Sequence, residues 1–433
     1  MASDQVVAPI IPEESTWTFT EVLRRQAAAH PNRVAYTFLN ERDPEGSDIR
    51  FAELEKKALA VAAFLSSSVA PGERALLLLP SGLDYIVTFF GCLCAGVIAV
   101  PGFPPHTGRG RHGEHWFQTV ARDAKPRLAF CAPELAGTLP GEWMLEAGIR
   151  MVSPGEIDGA TETEWHPPKI DADTIAFLQY TSGSTSQPKG VMVSHQNLMH
   201  NMRVIREACG NDQESTVVSW LPLHHDMGLI GTVLHPAYLG ARSVLMSPAR
   251  FLHNPVSWLQ AITRFRGKSS SAPNFAYDLC ARKIKAEQKA GLDLSTWRIA
   301  VNGAEPVRFD TMDRFTAAFA ECGFNREAFR PSYGLAEATL MVTGARATPL
   351  PAVKRFSVEG LERNRVCEPA GDGDARVLVG CGDALPGHQV RLVDPETRKP
   401  CAENEIGEIW VSGPSVTRGY WNRPQESEST FRA

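Results

Sequence analysis

The sequence contains no run of basic residues, and its 44 Lys and Arg are outnumbered by 49 Asp and Glu, for a formal net charge of −5. Binding to a nucleic-acid backbone draws on clustered positive charge, so nucleic acid is excluded as the primary partner. Internal repeats and low-complexity tracts are also lacking. No basic stretch followed by an apolar block stands near Met1, so no secretory signal is visible. The nine cysteines are odd in number and lack metal-ligand spacing. Even Cys92 and Cys94 sit among Phe90, Leu93, Ala95 and Val97, and all nine read as reduced core residues of a cytoplasmic protein. Charge is missing from one stretch, Tyr85 to Pro105, which is long enough to span a bilayer. Its glycines and prolines break it into a buried helix from Leu83 to Ala95, a short strand from Val97 to Val100 and a loop, which excludes a transmembrane segment.

What is present is a chain of 433 residues, 43% apolar and 21% charged, able to bury a large core in two or three structural units. From Thr18 to Pro248, helical stretches alternate with short apolar runs such as Arg33 to Phe38, Ala75 to Leu79, Leu128 to Cys131, Thr216 to Trp220 and Ser243 to Met246. That alternation predicts an α/β fold with helix-flanked, mostly parallel sheets. In the segment Phe51 to Leu65, Leu54, Ala58, Val61, Ala62 and Leu65 fall at helical spacing, which predicts a helix covering one face of a sheet. After Ala345 the runs Arg376 to Val379, His388 to Val393 and Glu405 to Val411 are separated by Gly, Pro and Asp-Pro-Glu turns, predicting a small antiparallel β unit. The expected division is an α/β core over 1–345 and a β-rich part over 346–433. Pro424 to Ala433 is polar and carries no stop signal, so a further segment is expected to follow it.

The strongest local signal is Tyr180-Thr-Ser-Gly-Ser-Thr-Ser-Gln-Pro-Lys-Gly190, preceded by the strand-like Thr174 to Leu178. Backbone N–H groups and hydroxyls in such a loop cradle phosphate oxygens, and Lys189 adds a positive charge. A Walker A loop would need Gly before the lysine and Ser or Thr after it, where Pro188 and Gly190 stand. Further along come Trp220-Leu-Pro-Leu-His-His-Asp-Met-Gly-Leu229, Asn302-Gly-Ala-Glu-Pro306, Ser332-Tyr-Gly-Leu-Ala-Glu-Ala-Thr339, Gly407-Glu-Ile-Trp-Val-Ser-Gly413 and Gly419-Tyr-Trp-Asn422. The adjacent His224 and His225 fit neither a condensation-type motif, which would need Asp at 229 where Leu stands, nor a zinc site with readable ligand spacing.

In this order and wording the motifs resemble those of the adenylate-forming superfamily: acyl-CoA synthetases, luciferases and peptide synthetase adenylation domains. One departure is Ser186, where most of the superfamily has Gly. Gln179-Tyr-Thr-Ser-Gly, the His-His-Asp-Met segment, Ala272-Pro-Asn-Phe-Ala-Tyr277 and Tyr333-Gly-Leu-Ala-Glu-Ala-Thr339 are most similar to the fatty acyl-AMP ligases. The resemblance implies ATP-dependent activation of a medium- or long-chain fatty acid to acyl-AMP, with pyrophosphate released and the acyl group passed to an acyl carrier protein of a polyketide or peptide synthetase system.

It also implies roles. Thr181, Ser182, Gly183, Ser184, Thr185 and Lys189 would hold the β and γ phosphates, and Glu337 with Thr185 would hold Mg²⁺. Gly303, Ala304 and Glu305, with Ser332, Tyr333, Gly334, Leu335 and Ala336, would receive the adenine, Tyr333 stacking on it. His225 would sit beside the attacking carboxylate, with Trp220, Asp226, Met227 and Asn274 around the substrate. The acyl pocket is expected among Trp220 to Ile230 and Phe275 to Leu279. No general base is required, because a fatty acid with a pKa of roughly 4 to 5 is already ionised at neutral pH.

The segment over 350–374 resembles the insertion that helps such ligases refuse CoA. Its apolar Val353, Phe356, Val358, Leu361 and Val366 are expected to anchor it on the domain surface. The ribose-binding aspartate and the lid lysine of the superfamily have no match before Ala433, which predicts the large N-terminal part of a longer ligase and slow catalysis by it alone. Two other functions remain open on sequence grounds: a long-chain acyl-CoA synthetase, distinguished by consumption of CoA, and a non-catalytic acyl-adenylate binding module.

Overall fold

The computed structural model describes residues 16–40, 45–103, 110–133, 147–157, 159–181, 187–344 and 351–432. Among these, nine strands form one sheet in the order Asp383–Ala384, Met341–Gly344, Phe329–Gly334, Ile299–Asn302, Ser269–Ala272, Thr216–Ser219, Arg242–Met246, Val34–Leu39, Ser47–Arg50. The six strands from Phe329–Gly334 to Val34–Leu39 run parallel, and antiparallel partners close both edges. A second sheet orders Arg150–Val152, Leu128–Cys131, Arg74–Leu78, Ile98–Pro101, Ile175–Thr181 and Lys189–Ser194, with only the last pair antiparallel.

Side-chain alternation places both faces of each sheet against helices, as parallel strands require. In Arg74–Leu78, Ala75 and Leu77 join the largest core, while Leu76 and Leu78 turn the other way to meet Phe117, Val120 and Ala124 of the helix Gly110–Ala124. That largest core also contains Tyr36, Leu245 and Val301 from the nine-stranded sheet, so the two sheets share one helical layer. The opposite face of the nine-stranded sheet is closed by an aromatic cluster of Trp258, Tyr277, Trp297, Phe315 and Phe329.

The uncharged stretch forms the helix Leu83–Ala95 and the strand Ile98–Pro101, and among the described residues no helix is long and apolar enough to cross a membrane. The expected helix at Phe51 runs over Phe51–Ser66, but it packs mainly on Leu83–Ala95 within the shared layer and not on a sheet face alone. The antiparallel region divides in two. Val353–Ser357 pairs with Ala375–Val379, and Gln389–Val393 pairs with Glu408–Ser412, while Asp383–Ala384 joins the edge of the nine-stranded sheet. Val353, expected to anchor the segment, is exposed, whereas Phe356, Val358, Leu361 and Val366 are half-buried. Pro424–Phe431 folds as a helix, with Pro424 in its first turn.

Candidate active site

The strand Ile175–Thr181 and the strand Lys189–Ser194 pair antiparallel, with Thr181 opposite Lys189, so the phosphate-type loop leaves and returns at one sheet edge. Ser182, Gly183, Ser184 and Thr185 lie outside the described residues. Beside Lys189–Ser194, residues 419–421 add a further extended segment: Met192 N–H donates to the Gly419 carbonyl at 3.0 Å and Trp421 N–H to the Gly190 carbonyl at 2.7 Å. This brings Tyr420 into the site. Its ring stacks under Lys189 Nζ at 4.9 Å, and its hydroxyl donates to Glu337 Oε1 at 2.7 Å. One buried tyrosine therefore touches both the lysine and the glutamate singled out in the sequence. The Gly-Tyr-Trp-Asn motif marked this position, but nothing in the spacing assigned Tyr420 a role.

Glu337 rides on a 3₁₀ turn, Ala336–Ala338, in the hairpin between Phe329–Gly334 and Met341–Gly344. Gly334 is required by packing, because a Cβ there would run into the Leu340 carbonyl oxygen. At Thr339 the backbone turns through φ 70° and ψ −64°, and Leu340 N–H reaches the Ala338 carbonyl at 2.9 Å. This is the strained form of γ-turn, unusual for a β-branched residue. It is pinned by Thr339 Oγ1 donating to the Ser415 carbonyl at 2.7 Å and by Thr417 N–H donating to the Glu337 carbonyl at 2.9 Å.

At the end of Ile299–Asn302, Gly303 and Ala304 form a turn in which Ala304 takes φ 65°. Glu305 faces outward and accepts Phe275 N–H at 2.6 Å, tying the turn to the helix Asn274–Lys283. Asn274, expected at the substrate, is buried away from the cavity. It donates to Thr311 Oγ1 at 3.2 Å and accepts Arg308 N–H at 3.0 Å, which makes it a structural link between helices.

His225 precedes the helix Asp226–Leu229, which continues through a π-helical stretch, Ile230–Leu234, into His235–Leu239. Pro236 explains the widened turn, because it has no N–H to give the Thr232 carbonyl. Ser243 Oγ donates to that carbonyl instead, at 2.7 Å. Gly228 is fixed by contact, since a Cβ would strike the Pro222 carbonyl oxygen. Gln179 Nε2 donates to the His224 carbonyl at 2.8 Å, joining this segment to the strand that enters the phosphate-type loop. Burial, with the nearby charge of Glu337 adding to it, pushes the Asp226 carboxyl up to about 6.

These parts surround a cavity of about 900 Å³. Trp220, His225, Asp226, Met227, Gly303, Ala304, Ser332, Tyr333 and Gly334 line it together. Thr181, Lys189, Glu305, Leu335, Ala336, Glu337 and Asn274 are outside its lining; Lys189 and Glu337 meet at Tyr420, and the charge of Glu337 is felt at Asp226, which does line it. Of the stretch Phe275 to Leu279 only Phe275 reaches the cavity, because Tyr277 turns inward to donate to the Val301 carbonyl at 2.8 Å. Walls that the sequence did not disclose come from Tyr85, Phe103, Ile205 and Asn211, outside the motifs, and from His235, on the continuation of the helix that starts at Asp226.

Residues 23–421 match the AMP-binding enzyme family. The chain belongs to that family. As an AMP-binding enzyme it is 41% identical to the medium-chain-fatty-acid–[acyl-carrier-protein] ligase JamA of Moorena producens, over 98% of this chain and 72% of that protein. It is 36% identical to the 4-hydroxyphenylalkanoate adenylyltransferase of Mycobacterium tuberculosis, over 99% of this chain and 72% of that one. Among solved structures, a fatty acyl-adenylate ligase from L. pneumophila in complex with acyl adenylate and pyrophosphate superposes with a TM-score of 0.87 at 41% identity, covering 95% of this chain and 71% of that chain. An adenylation domain of a keto acid-selecting peptide synthetase module, at 22% identity and a TM-score of 0.86, covering 96% of this chain and 78% of that one, shares the fold alone. In this AMP-binding enzyme the turn at Gly303 and Ala304, the segment from Ser332 to Gly334 and the helix start at His225 and Asp226 thus line one cavity.

Proposed function

We propose that this AMP-binding enzyme activates a medium- or long-chain fatty acid with ATP, forming fatty acyl-AMP and pyrophosphate and delivering the acyl group to an acyl carrier protein. A carrier within a polyketide or peptide synthetase system is the partner this reading favours. The observation that carries it is one cavity whose lining brings together Gly303 and Tyr333, the apolar Trp220, Leu252 and Phe275, and His225 and Asp226. The named relatives support the same reaction.

A carboxylate attacking the α-phosphate is an anion approaching a polyanion, so the site must supply positive charge and alignment. Lys189, held over Tyr420, faces that need on the phosphate side. Mg²⁺ fits beside Glu337, whose charge already raises the Asp226 carboxyl and would be offset by a cation there. Bound in that position, the ion would neutralise phosphate charge. Glu337, Asp226 and the loop hydroxyl of Thr185 are the residues proposed to hold it. His225, at the start of its helix, orients the acid, and Tyr333 offers a ring to adenine.

The test is ATP–pyrophosphate exchange with dodecanoic acid, acetate and an amino acid as alternative acceptors. Exchange with dodecanoic acid alone is expected. Exchange with the amino acid and not the fatty acid would replace this reading with that of an amino-acid adenylating domain. Consumption of CoA in place of carrier protein would move the assignment to an acyl-CoA synthetase.

A further inference from the structure

Tyr180 stands directly before the mouth of the phosphate-type loop, opposite Gly190, and the next pair along the ladder is Thr181 with Lys189. Its ring lies across Gly190 so closely that a Cβ there would come within 2.8 Å of Tyr180 Cζ. Burial, with the bond to Asp123 adding to it, holds the Tyr180 phenol protonated. The hydroxyl donates to Asp123 Oδ2 at 2.6 Å. Asp123 sits in the last turn of the helix Gly110–Ala124, where the helix dipole favours a cation over an anion. An acidic side chain only 11% exposed at that position gains nothing from its own helix, so the reason for it lies in its partners.

The other partners come from the segment on the far side of the Lys189 strand. Directly after Tyr420, whose ring lies under Lys189, Trp421 N–H donates to the Gly190 carbonyl and the Trp421 ring lies under the Arg74 guanidinium at 5.5 Å. Arg74 in turn donates to the Ala124 and Lys125 carbonyls, at 2.8 and 2.9 Å, immediately beyond Asp123. Asn422, which turns the chain through φ 54°, donates to the Asp123 carbonyl at 3.1 Å. Arg423 Nε pairs with Asp123 Oδ1 at 3.6 Å. Asp123 is thus reached from the strand that enters the loop and from the segment that supports Lys189. Gly190 is caught between them, the Tyr180 ring over it and Trp421 N–H on its carbonyl.

A lysine side chain is long and flexible, so the place of its charge is set by the backbone that bears it and by the ring beneath it. Charge stabilises a transition state best when it is held in place beforehand, and a displacement of about 1 Å from a change remote from the chemistry can cost on the order of 10²-fold. Resting on the reading of Lys189 as the cation that meets the nucleotide's phosphates, we infer that Asp123 is a positioning residue for adenylate formation. It fastens Tyr180 and Arg423 to one carboxylate, and so fixes the Lys189 backbone and the Tyr420 ring relative to each other. Asp123 lies outside the cavity lining and acts only through these neighbours.

Pyrophosphate release with dodecanoic acid gives kcat and the KM values for ATP and the acid, and calorimetry gives the affinity for magnesium ATP. Both are measured for the enzyme and for Asp123→Ala, Asp123→Asn and Tyr180→Phe. Asp123→Ala should lose about 10-fold or more in kcat and bind ATP at least about 3-fold more weakly, with KM for dodecanoic acid within about 2-fold. A variant that was merely less stable would lose active protein but keep its ATP affinity and both KM values. Asp123→Asn, whose amide oxygen still accepts the Tyr180 hydroxyl, should recover most of the loss. Tyr180→Phe should reproduce it, and combining Tyr180→Phe with Asp123→Ala should cost little more than either change, because both cut the same bond. Unchanged kcat and ATP affinity in Asp123→Ala, or full activity in Tyr180→Phe, would overturn the inference. If Asp123→Ala does not fold, Tyr180→Phe and Asp123→Asn decide it: a slow Phe variant beside an active Asn variant supports the inference, and equal activities overturn it. If the enzyme adenylates no fatty acid, the acid-activating reading falls, while the ATP affinities of the same variants still decide the role of Asp123.

Discussion

Tyr420 is the residue on which two separate sequence signals meet. Replacing it by Phe keeps the ring under Lys189 but removes the 2.7 Å bond to Glu337. Adenylate formation by Tyr420→Phe should fall by roughly 10-fold, whereas Lys189→Ala and Glu337→Ala should each lose on the order of 10²-fold or more. Pyrophosphate release measures all three. Calorimetry with the fatty acid should show its binding nearly unchanged, and a Tyr420→Phe enzyme as fast as its parent would make the tyrosine a spacer. A second residue, Thr339, carries backbone strain one step from the Glu337 turn. Thr339→Gly should relieve about 1 kcal/mol or more of that strain, but lose the bond to the Ser415 carbonyl and loosen Glu337. The expected signature is a melting temperature little changed beside a slower adenylation rate, and a slow, clearly destabilised variant would show that the pin outweighs the strain. Lys189, Glu337 and His225 were singled out in the sequence because each sits inside a motif with fixed neighbours, and the fold brings Lys189 and Glu337 together at Tyr420. Tyr420 was not, because its role is a contact with a residue 83 positions away. Asn274 shows the converse: it too sits in a motif, but the fold turns its amide to Thr311 and Arg308 and leaves it outside the cavity lining.

Single elements were read well where their periodicity was strong. The helix Leu83–Ala95 and the strand Leu128–Cys131 begin and end where the pattern of apolar residues places them. The π-helical stretch was not legible, because Pro236 alone signals only a kink, and it takes the Ser243 hydroxyl on a neighbouring strand to satisfy the freed carbonyl. The segment over 350–374 is likewise more than a surface loop. It supplies one strand of the ribbon Val353–Ser357 with Ala375–Val379, and that pairing changes how its proposed role as a brake on CoA use should be tested. Cutting 350–374 alone would strip the partner from Ala375–Val379, where Val377 and Leu378 are each 40% exposed, and leave a sticky edge. Both strands should therefore be replaced together by a short turn. Acyl-AMP formation should persist within about 3-fold, and acyl-CoA should appear as a new product; persistent refusal of CoA would place selectivity in the cavity instead.

For the molecule as a whole, the shared helical layer between two sheets was beyond sequence reading. Alternation of helices and strands announces parallel pairing, but not that Val34–Leu39 lies beside Arg242–Met246. The same layer buries neutral histidines. Burial pushes His195 and His200 down to about 4 and His235 down to about 3. Such groups bind a proton more readily in the unfolded chain, whose histidines titrate near 6.5, so stability is unaffected above that pH and is lost as pH falls below it. Each contributes up to about 1.4 kcal/mol of loss per pH unit until its folded value is reached. Asp226 and Glu55, raised in the folded state by burial, work in the opposite direction closer to their ordinary range, whereas burial lowers His388 in the same sense as these three. The melting temperature should be flat from pH 8 to 7 and drop steeply between 6.5 and 5. His195→Asn should shallow that drop by about a third, offering another acceptor for the Phe19 N–H now bound at 3.1 Å. A melting temperature constant down to pH 5 would refute the assignment. The extended segment at 419–421 has a further consequence for how events at the phosphate side travel. Because Met192 and Trp421 amides are locked in one shared ladder, they should exchange with deuterium as a pair, and nucleotide that steadies Lys189 should slow both together. Residues at the far end of the sequence thereby become a readout of what the phosphate side has bound.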